Sequence, residues 1–588
     1  MAGETSRPII VQGDRTVLLE VNNPSYAEAR DALARFAELE KSPEHVHTYR
    51  ITPLSLWNAA AAGLQTDEIL DALTRFGKYD LPSNVATDIV DYVSRYGRLK
   101  LVRDVDDLLL ISDDVPLLAE IAHHKRFVDL IKDQRDEHAL VISPALRGQI
   151  KQALVQFGYP AEDLAGYVDG APLAVTLRPE TTDGESFSLR PYQQEAVDIF
   201  YAAGGVRGGS GVVVLPCGAG KTVVGLAIMS RLQTNTLILT PNTVAARQWI
   251  EEIGRKTRIP SEMVGEYSGE HKEIKPVTVA NYQILTYRSS RNGDFPHFEL
   301  FNQRDWGLII YDEVHLLPAP VFRITAEIQA RRRLGLTATL VREDGREEDV
   351  FSLIGPKKYD VPWKQLEQQG WIATAECHEI RRPLPNDLRM TYAMSEDREK
   401  YRVAAENPLK IDAIKAILEK HPDDQVLIIG QYINQINEIA NVLNAPLITG
   451  KTPTREREKL YEQFRTAEVR RLVVSKVANF AIDLPDANVA IQISGAYGSR
   501  QEEAQRLGRI LRPKRHGLLA HFYTLVTRDT KDQDFASKRQ MFLTEQGYRY
   551  QILGLNELAD YQPVTFQITA RSAAAPALPA PSLGPHRN

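Results

Sequence analysis

The stretch VVVLPCGAGKTVVG, residues 212–225, sets an apolar run before a glycine-flanked lysine and then returns to apolar residues at helical spacing. A strand, loop and helix in that order bind phosphate. The loop around Gly218, Ala219 and Gly220 can point backbone N–H groups at phosphate oxygens, and a helix beginning near Thr222 adds the partial positive charge of its N-terminus. Lys221 is then placed to reach the β- and γ-phosphates of ATP, and the Thr222 hydroxyl to hold Mg2+. The strict spacing G-x-x-x-x-G-K-[ST] asks for glycine where Leu215 stands, a position at which motor ATPases vary. An ATPase also needs acids at the end of a neighbouring strand, and WGLIIYDEVHLLP supplies them. Asp312 is read as a Mg2+ contact and Glu313 as the group that orients and deprotonates the attacking water. Two acids at a strand end can also be merely solvated; the phosphate loop 91 residues upstream favours the catalytic reading.

The elements that must position these residues follow from the pattern of the chain. At 588 residues it is too long for one core, and 43% hydrophobic with 25% charged residues is the composition of a globular protein with several domains. Cys217 and Cys377 lie far apart, which excludes a disulfide framework or a CxxC zinc site and points to a reducing, intracellular compartment. The N-terminal residues lack a secretory pattern and no run of about 18 apolar residues occurs, so no membrane contact is expected. A formal charge of −6 excludes a protein that coats nucleic acid by sheer basicity.

From residue 188 onward, short apolar runs alternate with helical segments, as open parallel α/β sheets require. GVVVLP, TLILTP, VTVAN and WGLIIYDE read as buried strands of one domain; QVLIIGQ, APLITG, RRLVVSK and NVAIQIS read as strands of a second, after about residue 376. Upstream, a strand at 16–21 and a helix from Ser25, with Glu28 at capping-box spacing, precede three short helices. A two-stranded ribbon around Asp104 to Asp107 follows them. Three helices and a hairpin suggest a winged helix; a small interaction module that never touches DNA fits equally, since acidic residues crowd the ribbon. The expected units are 1–135, a small domain and link at 136–184, two α/β domains at 185–375 and 376–560, and a disordered Ala/Pro-rich tail at 561–588.

RPYQQ (190–194), LPCGAGKT (215–222), TPNTVAARQW (240–249), DEVH (312–315), GLTATL (335–340) and QRLGRILRP (505–513) stand in the order of superfamily-two helicase motifs. LGLTATLVREDGRE, SKVANFAIDLPDANVAIQIS, GSRQEEAQRLGRILRPK and SKRQMFLTEQGYRY resemble the XPB helicases, especially their shorter prokaryotic members, over about 185–555. The fold class implied is α/β: two tandem RecA-like parallel-sheet domains, preceded by a winged-helix-like N-terminal module and a small α+β domain. The spacing of Gln505, Arg509 and Arg512 puts them on one helix face. By the resemblance Arg509 and Arg512 are arginine fingers reaching from the second domain to the ATP site in the first. It further implies that Gln193 contacts adenine with Arg190 nearby, and that Asp483 faces the nucleotide. Thr337 and Thr339 would couple hydrolysis to movement, Thr240 belongs to a motif on the nucleic-acid path, and Arg342, Glu343 and Asp344 act at a duplex fork. Plainer readings remain for several: the threonines as satisfying turns, Asp483 as a cap of a helix or turn, the triplet as a charged surface turn.

The basic runs ARRRLG (330–335) and RPKRHG (512–517) are either strand contacts or solvated charge. Ala478-Asn479-Phe480 departs from the Gly-Asp-Thr/Ser of eukaryotic XPB proteins, and residues 382–407, where the family inserts a thumb-like element, are short. The resemblance implies an ATP-dependent DNA translocase and helicase of 3′ to 5′ polarity in nucleotide excision repair or duplex opening. It is expected to be a monomer, cytoplasmic at a prokaryotic nucleoid or nuclear in a eukaryote, and to work with a partner nuclease. Two other readings use the same engine: an RNA-remodelling or restriction-type motor, and an ATP-switched clamp that recruits a nuclease.

Overall fold

The computed structural model describes residues 7–41, 45–205, 208–216, 218–288, 295–328, 331–338, 347–361, 363–369, 371–475, 487–495, 519–545, 548 and 550–561. Among them no helix is long and apolar enough to cross a membrane.

The chain opens with an antiparallel sheet of β1 (Ile9–Val11), β2 (Thr16–Glu20), β3 (Glu38–Lys41) and β4 (Val46–Arg50), in the order β1-β2-β4-β3. The helix Tyr26–Leu33 begins where expected, yet the Ser25 side chain makes no cap bond. Its backbone already sits near helical values (φ −87°, ψ 9°), and a capping hydroxyl needs an extended residue. The three short helices are Pro53–Ala61, Thr66–Phe76 and Ser83–Arg95.

The ribbon of β5 (Leu99–Asp104) and β6 (Asp107–Ile111) pairs Asp104 with Asp107 across its turn. It does not stand alone as a wing. β7 (Ile131–Asp136), β8 (Ala139–Ile142) and β9 (Ala161–Asp163) extend it to a five-stranded sheet, β7-β8-β6-β5-β9. The division expected after residue 135 therefore falls inside a sheet, within β7 and one residue before its turn to β8. A turn rich in Asp, Glu and Arg reads as a linker in sequence, whereas the pairing of distant strands leaves no local mark. Behind this sheet the helix Arg147–Phe157 packs on the helix Ala319–Glu327, so closely that a Cβ on Gly148 would lie 2.4 Å from the Ala326 carbonyl oxygen.

The first α/β domain carries β10 (Ser210–Val214), β11 (Thr236–Thr240), β12 (Val264–Tyr267), β13 (Val277–Asn281), β14 (Leu308–Asp312), β15 (Arg332–Thr337) and β16 (Lys357–Asp360). They form one sheet, β12-β13-β11-β14-β15-β10-β16, with each neighbouring pair parallel. The second domain carries β17 (Ala375–Arg382), β18 (Val426–Gly430), β19 (Leu447–Ile448), β20 (Arg471–Ser475), β21 (Val489–Gln492), β22 (Ala520–Thr527) and β23 (Tyr550–Leu553). Its sheet, β19-β20-β18-β21-β22-β17-β23, is also parallel throughout. Both sheets are RecA-like: buried on two faces by helices, which is why their central strands read as unbroken apolar runs. Residues 382–407 fold mainly as two helices, Asn386–Met394 and Asp397–Ala405.

Candidate functional site

Strand order creates the site. β15 lies between β14 and β10, and their carboxyl ends align: Val214 pairs with Thr337, and Asp312 with Leu336. The phosphate loop leaving β10, Thr337 closing β15 and the Asp312-Glu313 pair closing β14 thus meet on one sheet edge, where parallel sheets hold ligands.

The loop is braced from the side by the helix Pro191–Tyr201. The Tyr192 hydroxyl and the Gln193 amide both donate to the Ala219 carbonyl, at 2.7 and 2.8 Å, while Gln193 Oε1 accepts the Arg190 N–H at 2.9 Å. Gln193 is buried, and both ends of its amide bind protein. Arg190 donates to the Tyr192 hydroxyl and lies over the Trp371 ring. Gly220 then has two reasons to be glycine. Its φ is +84°, and a Cβ would stand 2.4 Å from Gln193 Nε2. Leu215, where the strict motif has glycine, is fully buried in the apolar core of the domain, a place a leucine fills. Lys221 and Thr222 open the helix Lys221–Leu232.

Lys221 Nζ donates to Glu313 Oε1 at 2.5 Å. Glu313 holds a left-handed backbone, φ +49°, an uncommon conformation for a residue with a side chain and one that gathers at functional sites. Its N–H donates to Asp312 Oδ1 at 3.1 Å, and Asp312 Oδ2 accepts the Trp249 indole N–H at 2.9 Å. His315 Nδ1 lies 3.5 Å from Glu313 Oε2 and 2.7 Å from the Thr337 hydroxyl. The two carboxyls are driven apart electrostatically. Burial, and then the charge of Glu313, push Asp312 above the usual carboxylate range. Burial would raise Glu313 too, but the Lys221 ammonium and His315 hold it below its ordinary value. One acid stays ionised beside a cation, and its neighbour is a buried carboxyl whose charged form is favoured by a further cation.

Thr240 ends β11 with its hydroxyl committed to the carbonyls of Ala280 and Asn242, at 3.1 and 3.2 Å. The run ARRRLG is neither solvated nor free for a nucleic-acid strand. Arg331 donates to the Trp306 carbonyl, Arg332 pairs with Asp169, and Arg333 is fully buried, donating to the Leu353 carbonyl and the Ser210 hydroxyl. Thr339, Arg342, Glu343, Asp344, Asp483, Gln505, Arg509 and Arg512, with residues 478–480 and 512–517, lie outside the described residues. Sequence reasoning passed over Trp249 and His315. Both were inside quoted motifs, as the last residues of TPNTVAARQW and DEVH, but their roles run through Asp312, Glu313 and Thr337 and show only in contacts.

Two tandem RecA-like domains, with a phosphate loop and an Asp-Glu pair on the carboxyl edge of the first, define an ATP-dependent helicase of superfamily two. Comparison with known proteins narrows the class. A family model described as ERCC3/RAD25/XPB C-terminal helicase matches residues 366–574, one described as helicase conserved C-terminal domain matches 9–136, and one described as type III restriction enzyme, res subunit, matches 186–342. The DNA 3′-5′ helicase XPB of Kineococcus radiotolerans is 54% identical over 555 residues, covering 94% of this chain and 98% of its own. That of Mycobacterium tuberculosis is 55% identical over 555 residues, covering 94% and 99%. The general transcription and DNA repair factor IIH helicase/translocase subunit XPB/SSL2 of Saccharomyces cerevisiae is 31% identical over 616 residues, covering 93% of this chain and 72% of its own. The chain belongs to the XPB family of DNA helicases.

Proposed function

We propose that this chain is an ATP-driven DNA helicase and translocase of 3′ to 5′ polarity that opens duplexes in nucleotide excision repair. The observation that carries the reading is the Lys221–Glu313 contact at the carboxyl edge of β10, β15 and β14. Lys221 can exchange Glu313 for a phosphate oxygen. Glu313, whose acidity that ammonium maintains, then becomes the stronger base and takes the proton of the attacking water. Asp312 and Thr222 offer hard oxygen donors of the kind Mg2+ prefers, and the raised carboxyl of Asp312 is stabilised in its charged form by such a cation. Mg2+ held there would neutralise charge on the β- and γ-phosphates.

The remaining roles come from the family pattern. Gln505, Arg509 and Arg512 complete the site from the second domain, and Asp483 faces the nucleotide. Gln193 and Arg190 set the adenine side, Gln193 through the loop it braces. Thr337 reports to Glu313 through His315, with Thr339 beside the strand path, and Thr240 supports that path. Arg342, Glu343 and Asp344 part the fork. Strand incision is assigned here to a partner nuclease. We also infer a monomer working at a nucleoid, a setting that fits the higher identity to the bacterial relatives.

The test is DNA-stimulated ATP hydrolysis and strand separation on 3′-tailed, 5′-tailed and RNA duplexes, with wild type and Lys221→Ala. The 3′-tailed DNA should open, and the variant should lose about 100-fold or more in turnover. Near-normal turnover in the variant, or opening only of 5′-tailed or RNA duplexes, would contradict the reading.

A further inference from the structure

The amino edge of the second parallel sheet carries a cluster that the motor chemistry does not use. Glu376 is the second residue of β17, and His378 lies two residues on; His521 is the second residue of β22. The register pairs Glu376 with His521 and His378 with Tyr523. Alternation along a strand therefore puts Glu376, His378 and His521 on one face, with Cys377 on the other, in the apolar core. That face lies under the helices Lys410–Lys420 and Leu555–Asp560.

The distances fit a metal ion. Glu376 Oε2 is 3.7 Å from His378 Nε2 and 3.5 Å from His521 Nδ1, and one donor atom from each of the three lies within 4.8 Å of the others. Ligands bound at about 2.0–2.1 Å on a tetrahedral ion stand roughly 3.3 Å apart, so closure asks for shifts of up to about 1.5 Å. His378 supplies an independent sign. It is 3% exposed, and among the described residues neither ring nitrogen makes a hydrogen bond, an arrangement that buried polar groups avoid unless something else satisfies them. Its ring is held by stacking on Tyr523 at 5.0 Å. The surroundings resemble an outer shell: the Tyr561 hydroxyl donates to Glu376 Oε2, and His421 packs on the His521 ring at 4.7 Å.

We propose that Glu376, His378 and His521 form a transition-metal site, suited to Zn2+, that ties β17 to β22 where the chain enters the second helicase domain. Two imidazoles and one carboxylate are donors that Zn2+ takes and that Mg2+ does not favour, which separates this site from the ATP cleft. Three protein ligands leave a fourth position for water. β17 is the first strand of this sheet after the link from the first domain, so a metal bond there stiffens the strand to which that link is attached.

The experiment uses the full untagged chain, stripped with a chelator and kept in excess Mg2+ without nucleotide. It is titrated with Zn2+ by calorimetry and with Co2+ by visible absorption, alongside thermal unfolding. One equivalent should bind, with the d–d bands of tetrahedral Co2+, and saturating Zn2+ should raise the unfolding temperature. His378→Gln and Glu376→Gln, near in volume to the native residues, should each weaken binding at least tenfold and abolish the tetrahedral bands. Both should keep DNA-stimulated ATP hydrolysis, which shows that they fold; if His378→Gln does not, Glu376→Gln decides alone. No stoichiometric Zn2+ binding by the wild type, or equal affinity in the folded variants, overturns the proposal.

Discussion

Gly220→Ala probes how the phosphate loop is held. The residue sits at φ +84°, where an L-residue costs about 1–2 kcal/mol. The new Cβ would also stand 2.4 Å from Gln193 Nε2, so that amide must retreat by roughly 1 Å to reach ordinary contact. Its 2.8 Å bond to the Ala219 carbonyl is then lost, at about 1–3 kcal/mol for a buried group without its partner. The carbonyl itself keeps the Tyr192 hydroxyl, which places the cost toward the lower end. The sum is about 2–5 kcal/mol, incurred when the loop takes its binding shape, so ATP affinity should fall by about 30-fold at the least. Gln193→Ala relieves the clash but not the backbone strain. A double-mutant cycle on ATP affinity, read with a fluorescent analogue, should therefore show the pair losing less than the sum of the singles, by about 1 kcal/mol or more. Strict additivity, or wild-type affinity in Gly220→Ala, would refute the bracing of the loop by Gln193.

Asp163, little exposed itself, accepts the buried Arg147 at 2.7 Å and the buried Lys151 at 3.0 Å, with the buried Arg333 adding charge to the same cluster. Asp163→Asn strands these cations and should destabilise the five-stranded sheet and the helix packed on it by about 3–5 kcal/mol, seen as a lower melting temperature; an unchanged melt would contradict the cluster's role. Trp249→Phe removes the indole bond to Asp312 Oδ2 and should raise the Mg2+ concentration needed for half-maximal hydrolysis, by about tenfold if the bond to a charged acceptor is worth about 1.5 kcal/mol; an unaltered Mg2+ dependence would show that Asp312 needs no such support. Replacing Arg342, Glu343 and Asp344 together with alanine should lower forked-duplex unwinding and leave DNA-stimulated ATPase and the melting temperature largely intact; unwinding at the wild-type rate removes the wedge.

The strands that sequence made plain are those buried on both faces by apolar residues, such as Val212–Val214 and Leu308–Tyr311, and the site was legible where it hangs on their ends: Lys221, Asp312 and Glu313. β15, β17 and β22 were not singled out, because they interrupt the apolar run with Arg333, with His378 and Glu379, and with His521 and Thr524, all buried. Those residues are tolerated inside by partners from other segments: Arg333 by the Leu353 carbonyl, and Glu379 by Gln540, with Arg381 of its own strand beside it. Periodicity reports only that a residue is polar and says nothing of a partner 161 positions away. The five-stranded sheet was hidden for the same reason, since β9 joins β5 across the whole of residues 105–160. The basic run at 331–333 misleads in the opposite direction: its arginines are internal struts, and composition alone cannot tell a strut from a docking charge.

The central claim is that Glu313 activates water for a motor whose nucleotide is gripped by Lys221 and the loop around Gly220. Glu313→Gln keeps the size and the hydrogen-bonding reach of the side chain while removing its basicity. On a 3′-tailed DNA duplex, with ATP binding and strand separation recorded in the same preparation, this variant should bind ATP with near wild-type affinity, hydrolyse it about 100-fold more slowly or worse, and separate no strands. Strand separation by Glu313→Gln at the wild-type rate would contradict the account.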